Sequence, residues 1–322
     1  MNITIPDDYQ NAVKSLDCYK LLQDHNVTVY NDTVKSIDEL AERFKDAEAI
    51  VLIRERTKVT DELLSKLPKL KLISQIGKVS KHLDVNACTK HKVAVAEGVG
   101  SPIATAELTW NLIMSAWRQL PQAIEGMKKG LWQTNMGRAL NGQTIGIWGY
   151  GRIGKRIASY AKAFGMEVVI WGSENSRENA VKDGFSVADT KEEFISSVDI
   201  LTLHLRLSGD TRYIVKESDL ALMKPDALLV NTSRAELIEP GALVNALKSG
   251  RPGFAALDVY ENEPVLDKDY PLLQMPNVIC TPHLGYVERN GYEFYFSQAF
   301  ENILAFSKGT PVNIANPEVL KA

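Results

Sequence analysis

The sequence predicts an α/β fold made of two units, each a parallel β-sheet covered by helices. Short runs rich in β-branched residues alternate with amphipathic helical stretches along the chain, a pattern typical of such sheets. The length of 322 residues is enough for roughly two domains. A polar, glycine-containing stretch at residues 128–142 separates two alternating series. We therefore expect a smaller unit before this stretch and a larger one after it.

The first series predicts five strands and two helices. The strands are expected at residues 2–5, 27–30, 49–53, 72–75 and 93–96, and the helices at residues 36–44 and 60–67. A long helix should follow, because Ser101 is a suitable N-cap and Pro102 suits the first helical position. Its large apolar residues recur at helical spacing, which favours core or dimer packing over ligand binding. These residues are Trp110, Leu112, Ile113 and Trp117.

The second series predicts six strands and two helices. The strands are expected at residues 144–148, 167–171, 199–203, 227–231, 254–257 and 278–280, and the helices at residues 152–163 and 240–248. A further helical pattern covers residues 293–306. The last segment, residues 308–322, has two prolines and no strand pattern, so we expect it to dock on the first unit.

Composition and charge argue against several classes of protein. The chain is 45% hydrophobic and 24% charged, as folded proteins usually are. Its net charge of −3 offers no basic surface for nucleic acid or an anionic membrane. The N-terminus lacks a secretory leader pattern, and no apolar run reaches the length of a membrane helix. Three widely spaced cysteines indicate a cytoplasmic protein with reduced thiols, and Cys88 with His91 lacks the second ligand pair of a zinc site.

The strongest local motif is the glycine-rich loop GYGRIG at residues 149–154. An apolar strand pattern precedes it and an amphipathic helix pattern follows, which favours a dinucleotide site over a ligand-free turn. Gly149 would form the tight turn, Gly151 would let the backbone approach a pyrophosphate, and Gly154 would let helix and strand pack. The predicted cofactor-side residues of this loop are Gly149, Gly151, Arg152, Ile153 and Gly154.

The next strand lacks the acidic residue that usually receives the adenosine ribose of NAD. Gly172 stands at the strand end, and Glu174 is the nearest acid beyond it. Ser173, Ser176 and Arg177 could instead accommodate the 2′-phosphate of NADP. NAD is the first expectation because Glu174 is near, and NADP stays open as the alternative.

Three polar segments each follow a predicted strand, at the end where open α/β sheets bind ligands. They cover residues 231–234, 258–264 and 281–285. Histidine is the residue best suited to move the hydroxyl proton during hydride transfer, and His283 fits. A neighbouring carboxylate would fix its tautomer and favour the charged form, which Glu263 can do. Arg234 offers a planar cation for a substrate carboxylate and can polarise the carbonyl.

The segments NTSR, DVYENEP and TPHLG, with the glycine-rich loop, resemble motifs of the D-isomer-specific 2-hydroxyacid dehydrogenase family, which includes phosphoglycerate, D-lactate and glyoxylate/hydroxypyruvate enzymes. The resemblance covers nearly the whole chain. It implies two Rossmann-like lobes, with a nucleotide-binding lobe at residues 101–285 inserted into a flavodoxin-like substrate lobe of residues 1–100 and 286–322. It also implies a homodimer built mainly through the nucleotide lobe.

The resemblance further implies roles for single residues. The family's catalytic arginine, glutamate and histidine fall on Arg234, Glu263 and His283, and Asp258 would lie near the nicotinamide carboxamide. The histidine segment at 204–208 matches a cofactor-side segment, although Arg206 replaces its usual proline, and Tyr286 suggests an aromatic wall. The other residues placed on the cofactor side are His204, Leu205, Arg206, Thr211, Thr232, Ser233 and Gly285.

On the substrate side, Arg54 matches an arginine that faces substrate in the phosphoglycerate branch. The family's loop whose backbone amides hold the substrate carboxylate aligns with residues 77–84, where Gly77 and Asp84 agree but Lys78 and His82 depart from the pattern. Arg56 adds a second charge near Arg54. Arg54, Arg56 and Lys78 together suggest a second anionic group on the substrate, such as a phosphate or distal carboxylate, and rim charges are the other interpretation. The expected substrate-side residues are Arg54, Gly77, Lys78, Arg234 and His283.

The sequence thus predicts an oxidoreductase that passes hydride between a nicotinamide cofactor and C2 of a 2-keto or D-2-hydroxy acid. In reduction His283 would donate the proton and Arg234 would grip the carboxylate and carbonyl oxygen. Two alternatives stay open: a catalytically silent NAD(H)-sensing scaffold of the same fold, and an S-adenosylmethionine-dependent transferase, which also uses a glycine-rich turn.

Overall fold

The computed structural model describes residues 1–321 and divides into two compact units. Unit 1 comprises Met1–Ser101 and the segment that begins at Glu288, and unit 2 comprises Pro102–Val287. Unit 2 is therefore inserted into the sequence of unit 1. Each unit contains one sheet whose strands all pair in parallel, which confirms the predicted α/β class. The boundaries of the functional domains, at 100/101 and 285/286, remain a prediction.

The secondary structure of residues 1–321 consists mainly of twelve strands and eleven α-helices. The strands are β1 Asn2–Ile5, β2 Asn26–Val29, β3 Ala49–Leu52, β4 Leu72–Gln75, β5 Ala94–Glu97, β6 Thr144–Trp148, β7 Glu167–Trp171, β8 Ser186–Val187, β9 Ile200–Leu203, β10 Leu228–Asn231, β11 Phe254–Leu257 and β12 Val278–Cys280. The helices are α1 Ile37–Phe44, α2 Asp61–Ser65, α3 Val85–Lys90, α4 Ile103–Trp117, α5 Leu120–Lys128, α6 Arg152–Ala163, α7 Glu174–Lys182, α8 Lys191–Ser197, α9 Glu217–Leu220, α10 Ala242–Ser249 and α11 Arg289–Ser307.

The sheet of unit 1 has the strand order β2-β1-β3-β4-β5, which is the flavodoxin-like order. Its inner strands β3 and β4 are buried at every position, as expected for parallel strands covered on both faces. Local caps start the covering helices: the hydroxyl of Thr60 accepts from Leu63 N–H before α2, and Asp84 caps α3 in the same way.

The C-terminal segment docks on unit 1, as predicted. Ile314 forms an antiparallel bridge with Ala96 of the edge strand β5, and the N–H of Ala315 donates to the Val95 carbonyl at 2.7 Å. The side chain of Asn316, itself buried, accepts from the Val95 N–H. The tail therefore covers an edge that would otherwise expose unpaired backbone groups.

The sheet of unit 2 has the order β12-β11-β10-β9-β6-β7-β8. The order reverses between β6 and β9, so the chain leaves these neighbouring strands in opposite directions and opens a crevice at their carboxyl ends. Helix α4 is apolar around much of its circumference and lies in the core, where Trp110, Leu112, Ile113 and Trp117 are all buried. The preference for core packing over a binding stripe is confirmed for these residues.

The structure differs from the sequence prediction at several element ends. Helix α4 begins at Ile103, one residue later than expected, although Pro102 already has helical backbone angles. A second helix, α5, lies between α4 and the polar stretch. The residue before it, Gln119, has a left-handed backbone conformation, which separates the two helices. Helices α7 and α8 were not predicted, because their sequences are too polar for a clear apolar periodicity. The two-residue strand β8 and the short helices α3 and α9 were not predicted either.

Candidate functional site

The glycine-rich loop joins β6 to α6, as its sequence context predicts. Gly149 has a positive φ of 104°, and a Cβ there would lie 2.6 Å from the His204 carbonyl oxygen. A Cβ on Gly154 would lie 2.1 Å from the Gly149 carbonyl oxygen. Both positions therefore require glycine for packing within unit 2. A Cβ on Gly151 would meet no atom within 4 Å, so this glycine instead borders open space.

The open space at Gly151 has the features of an anion-binding site. Gly151 is the N-cap of α6, and no side chain of the described residues caps this helix. The first N–H groups of a helix and its dipole favour an anion, and a pyrophosphate held there would satisfy them. The side chain of Ile153 is partly buried and packs against the core of unit 2.

The glycine-rich loop is anchored by hydrogen bonds to Asp183. The buried Tyr150 donates its hydroxyl to Asp183 Oδ2 at 3.0 Å, and Lys155 donates to the same oxygen at 2.7 Å. The hydrogen bond from Lys155 lowers the pKa of Asp183, so its carboxylate stays charged at neutral pH. Asp183 had no motif around it, and only the folded geometry shows that it anchors Tyr150.

The backbone at the end of β7 favours glycine over an acidic residue at position 172. Gly172 has a φ of 154°, and a Cβ at this position would lie 3.3 Å from Ser176 Cβ and 3.7 Å from Gly149 Cα. Ser173 Oγ caps α7 by accepting from the Ser176 N–H. The guanidinium carbon of Arg177 lies 4.9 Å from the centre of the Trp171 ring. A cation and two hydroxyls thus gather at this strand end, while Glu174 occupies the first helical position of α7.

His204 follows β9 beside the glycine-rich loop. Its Nε2 atom lies 3.0 Å from Thr202 Oγ1, and its buried Nδ1 has no hydrogen-bond partner among residues 1–321. Burial lowers the pKa of this imidazole from 6.5 to about 3, so it is neutral at physiological pH. Further along, Thr211 Oγ1 donates to the Arg206 carbonyl and accepts from the Ser208 N–H, which folds the segment after Leu205 into a compact turn.

The segment after β10 is braced by its own polar groups. Asn231 accepts from the Ser233 N–H and donates to the Arg234 carbonyl, while Arg234 Nη1 donates to the Ser233 carbonyl at 2.6 Å. The hydroxyl of Thr232 is bonded to that of Thr109, and the hydroxyl of Ser233 donates to Leu203. The hydroxyls of Thr232 and Ser233 therefore position the turn that carries Arg234.

The segments after β11 and β12 bring Glu263 and His283 together. His283 Nδ1 lies 2.6 Å from Glu263 Oε2, and both side chains are partly exposed. The ring of Tyr286 meets that of His283 edge to face, with centroids 5.5 Å apart. The backbone of His283 is left-handed, with a φ of 52°, a strained conformation that is found at functional sites. The pair predicted for proton transfer is thus assembled.

Asp258 holds the loop that carries His283. Its fully buried carboxylate accepts from Thr281 Oγ1 at 2.7 Å and from the N–H groups of Leu284 and Gly285 at 2.7 and 2.8 Å. Burial raises the pKa of this carboxyl, against the lowering effect of these hydrogen bonds. Thr105 adds a bond to the Gly285 carbonyl. The Thr281 side chain before His283 and the backbone after it are therefore both tied to Asp258.

Comparison with known proteins decides the family. The model for "D-isomer specific 2-hydroxyacid dehydrogenase, NAD binding domain" matches residues 110–285. This chain belongs to the D-isomer specific 2-hydroxyacid dehydrogenase family. Residues 110–285 form its NAD-binding domain, and the loop at 149–154 with its uncapped helix and open space at Gly151 fits the pyrophosphate of that cofactor. Membership excludes the transferase alternative and does not favour the silent scaffold.

Individual relatives agree with this placement. A D-3-phosphoglycerate dehydrogenase of Methanocaldococcus jannaschii is 41% identical, covering 77% of this chain and 47% of its own. A glyoxylate reductase of Aeropyrum pernix is 36% identical, covering 88% of this chain and 87% of its own. The crystal structure of a phosphoglycerate oxidoreductase from Vibrio cholerae is 54% identical, with a TM-score of 0.94 over 96% of this chain and 99% of its own. The chain spans about half the length of the D-3-phosphoglycerate dehydrogenases of Methanocaldococcus jannaschii and Bacillus subtilis.

In this family member, the predicted substrate-side residues of unit 1 follow β3 and β4. Arg54 has a left-handed backbone, and its guanidinium lies so close to Gly77 that a Cβ there would be 2.2 Å from Nη1. Gln75 donates to the Arg54 carbonyl at 3.0 Å, and His82 Nε2 is bonded to the Gln75 amide oxygen. Gln75 and His82 are buried residues that the sequence motifs did not single out as supports of Arg54.

The other two cations of this region have structural partners. Lys78 forms an ion pair with Glu97, a residue that no motif marked. Arg56 donates to the Asp7 carbonyl and lies over the ring of Tyr9, 4.5 Å from its centre. Lys78 and Arg56 were grouped with Arg54 because they lie near it in the sequence. Their actual partners, Glu97 and Asp7, lie on segments that only folding brings close.

Within residues 1–321, none of the helices combines the length and the apolar character that crossing a membrane would require. Over the same residues there is no group of three or more histidine, cysteine, aspartate or glutamate side chains placed to hold a metal ion.

Proposed function

We propose that this chain is a dehydrogenase that reduces a small 2-keto acid to a D-2-hydroxy acid with NADH and catalyses the reverse oxidation. The observation that carries the proposal is the hydrogen bond between His283 and Glu263 in a unit that holds the family's NAD-binding domain. A nucleotide-binding fold alone does not imply catalytic activity. A histidine oriented by a carboxylate can act as a general acid and base.

His283 is the proposed proton donor. Glu263 accepts from Nδ1–H, so the proton transfer falls to Nε2, and the carboxylate stabilises the imidazolium form between turnovers. Bound NADH supplies the hydride that reduces C2 of the keto acid. As negative charge develops on the carbonyl oxygen, protonation by His283 gives the hydroxyl group. In the reverse direction the neutral imidazole accepts that proton.

Arg234 is the proposed anchor of the substrate carboxylate. Its backbone is fixed by Asn231, and one guanidinium nitrogen donates to the Ser233 carbonyl, so the planar group is held at the end of β10. A guanidinium can bind the two oxygens of a carboxylate with parallel hydrogen bonds. A fixed guanidinium near the carbonyl oxygen would also stabilise the charge that develops there. In unit 1, we propose Arg54 and the backbone at Gly77 and Lys78 as additional substrate contacts.

NAD is the proposed working cofactor, although the end of β7 also supports NADP. No carboxylate follows this strand directly, and Arg177, Ser173 and Ser176 lie where a 2′-phosphate would be received. Glu174 opposes that phosphate by its charge. We expect the KM for NADH to be lower than that for NADPH by only about tenfold, far less than a carboxylate at the strand end would produce.

A homodimer is the proposed assembly. Helix α5 and the stretch after it expose large apolar side chains: Ile124 (53% exposed), Met127 (59%), Leu131 (50%), Trp132 (73%) and Met136 (88%). Such a concentration on one segment is unusual for a monomer and marks a protein contact. Sedimentation velocity should give a dimer for the wild type and a monomer for Trp132→Asp with Met136→Asp. A monomeric wild type would contradict this assembly.

The test of the proposed function is a panel of 2-keto acids with purified protein and either NADH or NADPH. We expect NADH oxidation with at least one small 2-keto acid and a product that chiral chromatography identifies as the D-isomer. Inert protein across the panel, or an L-product, would overturn the proposal. Free cysteines at positions 18, 88 and 280 support a cytoplasmic location, which cell fractionation would test.

A further inference from the structure

Two threonines of helix α4 are bonded to the two loops that carry Arg234 and His283. Thr105 and Thr109 lie four residues apart in the helix and therefore share one face of it. Helix α4 packs on β10 and β12, the strands that these two loops follow. All of these elements belong to unit 2. One helix thus supports both the proposed carboxylate anchor and the proposed proton donor.

The hydroxyl of Thr105 holds the loop after β12. It donates to the Gly285 carbonyl at 2.8 Å, while the N–H of Gly285 donates to the Asp258 carboxylate, also at 2.8 Å. A Cβ on Gly285 would lie 3.2 Å from Asp258 Oδ2 and 3.5 Å from the Thr105 side chain. The peptide groups on both sides of Gly285 are therefore fixed, and this residue lies two positions after His283.

The hydroxyl of Thr109 holds the turn after β10. Its oxygen lies 2.7 Å from the Thr105 carbonyl oxygen and 2.7 Å from the hydroxyl oxygen of Thr232. A carbonyl can only accept, and a hydroxyl has a single proton, so Thr109 donates to the carbonyl. The Thr232 hydroxyl must then donate to Thr109. This bond ties the turn to α4 two residues before Arg234.

The Thr109 hydroxyl would be unfavourable without these bonds. Thr109 is 0% exposed and Thr232 is 6% exposed, and the other buried residues of α4 are apolar. A buried hydroxyl without a partner costs folding free energy, whereas valine would fill the same volume without a polar atom. What the hydroxyl adds over a methyl group at this position is its bond to the turn at Thr232.

We propose that Thr105 and Thr109 are positioning residues, which hold the loops of His283 and Arg234 at a fixed separation on one helix. This rests on the proposed function and adds to it the element that sets the distance between the two groups. The proton donor and the carboxylate anchor must meet the same small keto acid. A displacement of about 1 Å in such a site can cost about 10²-fold in rate.

The test measures NADH-dependent keto acid reduction in variants that exchange a hydroxyl for a methyl group. Thr105→Val should lower kcat by about tenfold, because the His283 loop loses one of its ties, and should leave the KM for the keto acid within about twofold. Thr109→Val should raise that KM by about tenfold, because the turn of Arg234 loosens. The two loops therefore give different kinetic signatures.

Matched variants separate the hydroxyl from the rest of the side chain. Thr105→Ser and Thr109→Ser keep the hydroxyl, so both should stay within about twofold of the wild type in kcat and KM. Ser115→Ala removes a hydroxyl that is bonded within α4 itself, and it should leave kcat and KM unchanged. Thermal unfolding of each variant shows whether a kinetic change accompanies loss of the fold.

Each outcome has a distinct meaning. Folded valine variants with wild-type kcat and KM would overturn the inference and leave the proposed function intact. So would serine variants that lose as much activity as the valine variants, because the hydroxyl would then be irrelevant. If Thr109→Val fails to fold, Thr105→Val, at a partly exposed position, decides the matter. A wild type that oxidises NADH with none of the 2-keto acids would overturn the proposed function and the inference with it.

Discussion

His283 and Glu263 are joined by a hydrogen bond of 2.6 Å between Nδ1 and Oε2. The second carboxylate oxygen, Oε1, accepts from the Tyr260 N–H at 2.9 Å, so the carboxylate is fixed by its own loop. The Tyr260 hydroxyl donates in turn to the Thr281 carbonyl at 3.0 Å, two residues before the histidine. The loops after β11 and β12 are therefore tied together by the hydrogen bonds His283–Glu263 and Tyr260–Thr281, which determine the orientation of the imidazole.

Replacing Glu263 by glutamine should lower kcat by about 10²-fold or more, because an amide cannot stabilise the imidazolium or enforce its tautomer. The KM for the keto acid should change little, since Glu263 does not hold the substrate carboxylate. Steady-state kinetics with saturating NADH measures both constants. Glu261→Gln, in the same exposed loop, is the matched control and should retain wild-type turnover. A Glu263→Gln enzyme within twofold of the wild type would remove Glu263 from the mechanism.

Replacing Asp258 by asparagine should damage the His283 loop. The carboxylate accepts three hydrogen bonds, and an amide nitrogen would face an N–H group of Leu284 or Gly285. Loss of a buried charged acceptor costs about 1.5–3 kcal/mol in unfolding free energy, and kcat should fall because His283 moves. Denaturant unfolding and kinetics measure the two effects. The exposed Asp269→Asn serves as control, and an Asp258→Asn protein with native stability would show that the loop stands without this anchor.

Two glycines of the nucleotide loop should respond differently to alanine. Gly154→Ala should destabilise the protein, since its Cβ would collide with the Gly149 carbonyl. Gly151→Ala should fold normally but bind NADH about tenfold or more weakly, because its methyl group enters the space proposed for the pyrophosphate. Thermal unfolding and NADH titration by fluorescence separate the outcomes. Equal NADH affinity in Gly151→Ala and the wild type would place the pyrophosphate elsewhere.

His204 should make stability fall in mild acid. Burial lowers its pKa to about 3 in the folded chain, while the unfolded chain keeps the ordinary value of 6.5. Below pH 6.5 the unfolded state binds the extra proton, so the unfolding free energy decreases by about 2 kcal/mol between pH 7 and 5. Urea unfolding at both pH values measures this change, and His204→Asn should show a correspondingly smaller one. Parallel pH profiles for the two proteins would refute a buried neutral His204.

The strands that form the two sheets were largely predictable, because parallel strands covered on both faces are short apolar runs. Six strands and one helix have the predicted bounds: β1, β4, β6, β7, β11, β12 and α6. The ends of most other predicted elements shifted by one or two residues, as at α4, where backbone angles and caps decide. Helix α11 begins at Arg289, four residues before its predicted start. The polar helix α7 was missed because its sequence, ENSRENAVK, has no apolar face of useful width.

The chemistry of the site was predictable where it follows strand ends in the sequence, as with Arg234 and His283. The supporting residues were not, since their partners lie far along the chain. Lys78 and Glu97 meet only through the pairing of β4 and β5, and Tyr150 reaches Asp183 only after α6 and α7 have packed. The cations near Arg54 in the sequence also suggested a second anionic group on the substrate. The sequence did not show that one of these cations, Lys78, forms an ion pair with Glu97.

The central claim is that His283 is the proton donor of an NADH-dependent 2-keto acid reductase. The most direct measurement compares NADH oxidation by wild type and His283→Gln with the best small 2-keto acid, alongside NADH titration of both proteins. We predict equal NADH affinity and a kcat reduced by about 10² to 10⁴ in the variant, the contribution of a positioned general acid. Near-normal turnover in His283→Gln would contradict the account.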